Sequence, residues 1–113
     1  MKSKSLIHSY IRLNSCHISK EDAERFLYLS DPRQNKAKLS HKWIHSTGKP
    51  GNVLIRLSAQ ENAPARLREM GISEELCETI SVLARAMELA MIHFDSDADV
   101  LTGIPIYGAP LTQ

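Results

Sequence analysis

The stretch SEELCETISVLARAMELAMIHFDSDADVLTGIPIY, residues 73–107, decides how the rest of the chain is read. Ser73 is a good helix N-cap, Glu74 and Glu75 suit the positive end of a helix dipole, and Leu76, Ile80, Leu83 and Met87 recur at i, i+4, i+7 and i+11. That spacing predicts one long amphipathic helix. A short apolar strand, Met91-Ile92-His93-Phe94, comes next, followed by an acidic turn carrying Asp95, Asp97 and Asp99 and by an apolar segment, Ile104-Pro105-Ile106-Tyr107.

Upstream of this stretch, Asn62-Ala63-Pro64 places a cap before a proline tolerated in a first helical turn, and Gly71 after Met70 is a natural stop, which predicts a helix of barely two turns. Trp43-Ile44-His45 and residues 53–57 read as two strands of an antiparallel hairpin, joined by residues 46–52, a connection rich in turn formers. Residues 33–42 carry Arg33, Lys36, Lys38 and Lys42 with Leu39 as the one apolar residue larger than alanine, and are expected as an exposed basic loop. Before them, Ser19 caps a helix over residues 20–29 with Ala23, Phe26 and Leu27 on its inner side. Asp22 stands as a short version of the capping box, Ile18 as a staple against Ala23, and Asp31-Pro32 ends the helix. Residues 6–13 alternate as a half-buried strand with Ile7, Ile11 and Leu13 inward.

The expected fold is therefore one α+β domain spanning residues 1–113, of order β-α-β-β-α-α-β. A small, mainly antiparallel sheet of about four strands is covered on one side by the first and last helices. Its core is expected to hold Ile7, Ile11, Leu13, Phe26, Leu27, Val53, Ile55, Leu57, Leu76, Ile80, Leu83, Met87, Ile92 and Phe94.

Composition narrows the function classes. Hydrophobic residues make up 42% and charged residues 24% of the 113, ordinary globular usage that excludes wholesale disorder. Fourteen basic against thirteen acidic residues leave a net charge of +1, so nucleic acid or anionic membrane would have to be met by a local patch. Cys16 and Cys77 lie far apart without paired-ligand spacing, so a reduced cytoplasmic protein without a disulfide framework is expected. The apolar run near the N-terminus is broken by His8, Ser9 and Arg12 and lacks a signal-peptide core. No segment reaches the roughly 20 apolar residues of a membrane span.

Several constellations invite chemistry. Asp95, Asp97 and Asp99 follow an apolar strand and could hold Mg²⁺ or Ca²⁺, hard cations that prefer oxygen ligands. A calcium loop beginning at Asp95 would have Val100 in place of its glycine and Ile106 in place of its bidentate glutamate. A phosphatase-type Asp-x-Asp comes too late in the chain to be completed by later groups. An acidic, solvated turn is the expectation. His41 and His45 are four apart but on a strand stand too far apart to chelate easily, and Cys16-His17 on an extended chain would point to opposite sides. Gly48-Lys49-Pro50-Gly51 has the residues of a phosphate loop without their order, and is expected as a hairpin tip.

Two stretches together carry a resemblance. Residues 84–99, ending in Phe94-Asp95-Ser96-Asp97, then Ile104-Pro105-Ile106-Tyr107, and the early Ser15-Cys16-His17-Ile18-Ser19-Lys20-Glu21-Asp22-Ala23, resemble a small bacterial family of unknown function. That family is carried by plasmids, prophages and genomic islands near toxin–antitoxin and defence genes, with a Phe-Asp-x-Asp segment and a closing Leu-Pro-x-Tyr. Here Ile104 stands in place of the leucine. The resemblance implies a mobile-element context and assigns no catalytic residue. The expected function is a non-enzymatic interaction protein of accessory or anti-defence type, without metal or other cofactor and without membrane. It would contact a host or mobile-element protein through the surface around Trp43 or the acidic turn. One alternative is a divalent-metal-dependent hydrolase or nuclease using Asp95, Asp97 and Asp99. A second is a small nucleic-acid binder using Arg33, Lys36, Lys38 and Lys42.

Overall fold

Alternation along each strand, one side chain toward the core and the next away from it, organises the architecture. The computed structural model describes residues 9–31, 43–46 and 51–107. In it β1 (Ser9–Asn14) leads through a 3-10 turn (Ser15–His17) into α1 (Lys20–Ser30), and β2 (Ile44–Ser46) and β3 (Val53–Arg56) follow. A second 3-10 turn (Leu57–Ala59), α2 (Ala63–Glu69), α3 (Glu74–Met87) and β4 (Leu89–Asp95) complete the expected order β-α-β-β-α-α-β. The strands lie in the order β1-β4-β3-β2. β3 runs antiparallel to both its neighbours, whereas β1 and β4, the outermost strands in sequence, pair in parallel. The fold is α+β around a four-stranded mixed sheet.

The core lies between one face of the sheet and the helices. Leu13, Ile44, Val53, Ile55, Ile92 and Phe94 point into it from the strands, Phe26 and Leu29 from α1, Leu67 from α2, and Leu76, Cys77 and Ile80 from α3. Local capping explains the helix boundaries. Ser19 Oγ accepts the Asp22 N–H at 3.2 Å and Ser73 Oγ accepts the Leu76 N–H at 3.3 Å, as N-caps should. At the end of α2, Gly71 takes φ 96, the Ile72 N–H reaches the Leu67 carbonyl at 3.1 Å and the Gly71 N–H the Arg68 carbonyl at 3.2 Å, a Schellman closure that buries Ile72 beside Leu67.

Several expectations need correction. Met87 is 46% exposed and outside the core, because α3 ends there and Glu88, at φ 51, reverses the chain. The same reversal starts β4 at Leu89, two residues before the expected Met91. Leu27 is only half-buried and Leu29 takes its place, since the α1 stripe runs through Asp22, Ala23, Phe26 and Leu29 at helical period. Leu57 is buried but sits in a 3-10 turn beyond β3. Asn62 stands before α2 in the left-handed conformation and makes no side-chain cap bond; its carbonyl accepts the Arg66 N–H instead. Asp22 does not close a capping box, because aspartate is too short to reach back one turn. Its buried carboxylate instead crosses to α3, accepting the Ser73 N–H at 2.9 Å and the Ser73 hydroxyl, so the first turns of the two helices are tied together. Ile7 and the start of the first expected strand lie outside the described residues.

Candidate functional site

Because β1 and β4 run parallel, both end on the same side of the sheet, and there the residues after each strand meet. Asn14, wholly buried, donates from Nδ2 to the carbonyls of Ala98 at 2.9 Å and Ser96 at 3.3 Å, while its Oδ1 accepts the Cys16 N–H at 2.9 Å. Its own N–H reaches the Asp99 carbonyl at 3.0 Å. His17, also buried, has both ring nitrogens engaged. The Leu101 N–H can only donate, so Nε2, 3.0 Å away, is the acceptor, and Nδ1 therefore carries the proton given to the Pro105 carbonyl at 2.8 Å. The Tyr107 N–H closes the segment on the Cys16 carbonyl at 2.7 Å. Beyond that point burial, with the carboxylates of Glu75 and Asp22, pushes the Tyr107 hydroxyl up from its usual range. Thus residues 14–17 clamp residues 96–107. The stretches of sequence that carried the family resemblance overlap this clamp, at residues 15–17 on one side and at residues 96–99 and 104–107 on the other.

This arrangement is structural in its chemistry. Cys16 and His17 share a 3-10 turn instead of an extended chain and are both buried, and His17 has no ring nitrogen left to serve a thiol. Burial also pushes the Cys16 thiol up, away from the thiolate a nucleophile needs.

The acidic turn is held by its own chain. Asp95 Oδ1 accepts the Asp97 N–H at 3.0 Å and Oδ2 receives Arg12 Nη2 at 2.8 Å. The Asp97 N–H first, and the Arg12 guanidinium next, hold the Asp95 carboxyl below the usual carboxylate range. Asp97 and Asp99 point into solvent. Among the described residues no three His, Cys, Asp or Glu side chains are grouped so as to hold a metal ion.

Trp43 is 2% exposed and packs in the core just before β2. It therefore offers no contact surface, because its apolar ring completes the cluster around Ile44 and Ile55. Arg33, Lys36, Lys38 and Lys42, together with His41 and most of the glycine-lysine hairpin tip, lie outside the described residues.

The surface that sequence reasoning missed is the sheet face opposite the helices. Register places Tyr10 beside Met91 and Met91 beside Arg56, and in the next row Arg12 beside His93, His93 beside Leu54, and Leu54 beside His45. Tyr10 is 50% exposed, Arg12, Arg56 and His45 are exposed, and Leu54, Met91 and His93 are half-buried. The signal was present as the outward phase of each alternation, Tyr10/Arg12, Leu54/Arg56 and Met91/His93, but it became a surface only when four strands lay side by side.

Fold and surface define a small α+β domain with helices on one sheet face and, among the described residues, no helix on the other, where Tyr10, Arg12, Arg56 and His45 are exposed. The chain belongs to the family of unknown function DUF5983, whose C-terminal domain it matches over residues 10–109, a span that contains both halves of the clamp. Nothing among curated proteins or solved structures matches the chain. Among the described residues no helix is long and apolar enough to cross a membrane.

Proposed function

We propose that this chain is a non-enzymatic interaction protein of a bacterial mobile genetic element, of accessory or anti-defence type, and that it works through the open face of its sheet. The observation that carries the reading is the contrast in how polar groups are used. Asn14, His17, Asp22 and Asp95 are spent on hydrogen bonds within the fold, whereas Tyr10, Arg56 and His45 stand on one exposed face. The mobile-element setting is supported by the motif resemblance alone. A hydrolase using Asp95, Asp97 and Asp99 is disfavoured, since a cation at Asp95 would have to displace a guanidinium at 2.8 Å.

Two measurements test this. Thermal melts in millimolar Mg²⁺, Mn²⁺ or Ca²⁺ should match melts in chelator; a rise of several degrees lost in an Asp95→Asn, Asp97→Asn variant would promote the hydrolase. Immobilised protein should retain a partner from its native host, and a Tyr10→Ala, Arg56→Ala variant with unchanged melting should lose it. Equal retention by the variant moves the contact elsewhere.

A further inference from the structure

Resting on that reading of the open face, the geometry points to its partner class: single-stranded nucleic acid, with bases stacked on the sheet and phosphates met by arginine. Bases need planar groups with an accessible face, and here Tyr10, His93 and His45 supply rings while Arg12 and Arg56 supply planar guanidinium groups. Phosphates need cations. Arg56 is exposed and, among the described residues, has no ion-pair partner; Arg12, held by Asp95, still has a side chain 44% exposed. Leu54 and Met91 lie between these groups as a half-buried aliphatic floor.

Size decides between partner classes. The face has seven outward side chains, two each on β1, β4 and β3 and one on β2, across four strands spanning roughly 14 Å at about 4.8 Å spacing, with its two rows roughly 7 Å apart. Seven side chains are well short of the roughly 20–30 residues a side of a standard protein interface, but suit a sheet that stacks two or three bases. The major groove of a duplex admits a helix or a two-stranded ribbon, not the broad side of a four-stranded sheet, so the strand must be single. Charge sets its placement. Asp95 and Asp97 border the Arg12 end and repel phosphate, so the backbone should lie toward Arg56 and Tyr10.

The experiment is fluorescence anisotropy with labelled single-stranded DNA and RNA of mixed sequence, and with the matching duplex, across a salt series. Single strands should bind more tightly than duplex, with affinity falling as salt rises. Tyr10→Ala should weaken binding roughly 5- to 100-fold while Tyr10→Phe keeps it, and Arg56→Ala should reduce the salt slope by about one. No single-strand binding at the lowest salt overturns the inference, as does binding indifferent to Tyr10→Ala and Arg56→Ala. Binding abolished instead by Lys36→Ala, Lys38→Ala also overturns it, in favour of the basic stretch. If oligonucleotides fail but a host protein is captured by the wild type and lost by Tyr10→Ala, Arg56→Ala, the face remains the working surface and only its partner changes; if both fail, both readings fall.

Discussion

Asn14 has no exposed surface, and its amide is the centre of the clamp, giving two hydrogen bonds and accepting one. Truncation to alanine strands the Cys16 N–H and two carbonyls in the interior, so Asn14→Ala should cost about 3 kcal/mol in a urea melt. Asn14→Asp should cost more, because it aims a carboxylate at the carbonyls of Ala98 and Ser96. Variants melting within about 0.5 kcal/mol of wild type would show that the clamp is not held by this amide. Asp95 makes a pH-dependent contribution whose sign follows from its lowered folded pKa. Its stabilisation is present above the unfolded carboxylate value of about 3.9 and is lost as pH falls through the folded value. Asp95→Asn should therefore be less stable than wild type at neutral pH, and the gap should close on acidification. A gap that widens toward low pH would contradict the pairing with Arg12.

At the scale of elements, α3 separates what periodicity specifies from what a chain reversal specifies. Ile80 is fully buried and Met87 is 46% exposed, although both fall on the same apolar stripe. Ile80→Ala should cost about 2–5 kcal/mol, whereas Met87→Ala should stay within about 0.5 kcal/mol. Equal losses, read by chemical denaturation, would place the end of α3 over the core. Glu88 carries the reversal at φ 51, a conformation that costs an ordinary L-residue about 1–2 kcal/mol and glycine almost nothing. Glu88→Gly should thus raise stability by several tenths of a kcal/mol despite the extra entropy of the unfolded chain. β3 and β4 are paired on both sides while β1 and β2 are edges among the described strands, so β3 and β4 amides should exchange with solvent more slowly than those of β1 and β2.

For the whole molecule, the parallel pairing of β1 with β4 joins opposite ends of the sequence, and the segment after β4 returns over the turn after β1. Leu101 and Ile104 pack against the core from this segment, and His17 and the Cys16 carbonyl take their partners from it. A chain ending at Ala98 should lose several kcal/mol and unfold at markedly lower urea, since it removes apolar burial and leaves buried polar groups unpaired. Wild-type melting of that truncation would show that residues 99–107 are an appendage and not part of the cooperative unit.

Helix periods, caps and strand alternation are local properties, so α1, α3, the β2–β3 hairpin and the order of elements were readable from residues close in the chain: Ser19 and Ser73 cap where they should, and Leu76 and Ile80 face inward. Who meets whom across the chain was not readable. Asn14 finds Ala98, His17 finds Pro105 and Asp22 finds Ser73 only after the sheet has taken the order β1-β4-β3-β2 and the helices have packed on one side of it. Trp43 was expected at a contact surface and is core, while Tyr10 and Arg56, which no local pattern singles out, share a face. Local pattern determines which way a side chain points from its own strand or helix; the neighbour it meets there depends on long-range pairing, which no window of sequence contains.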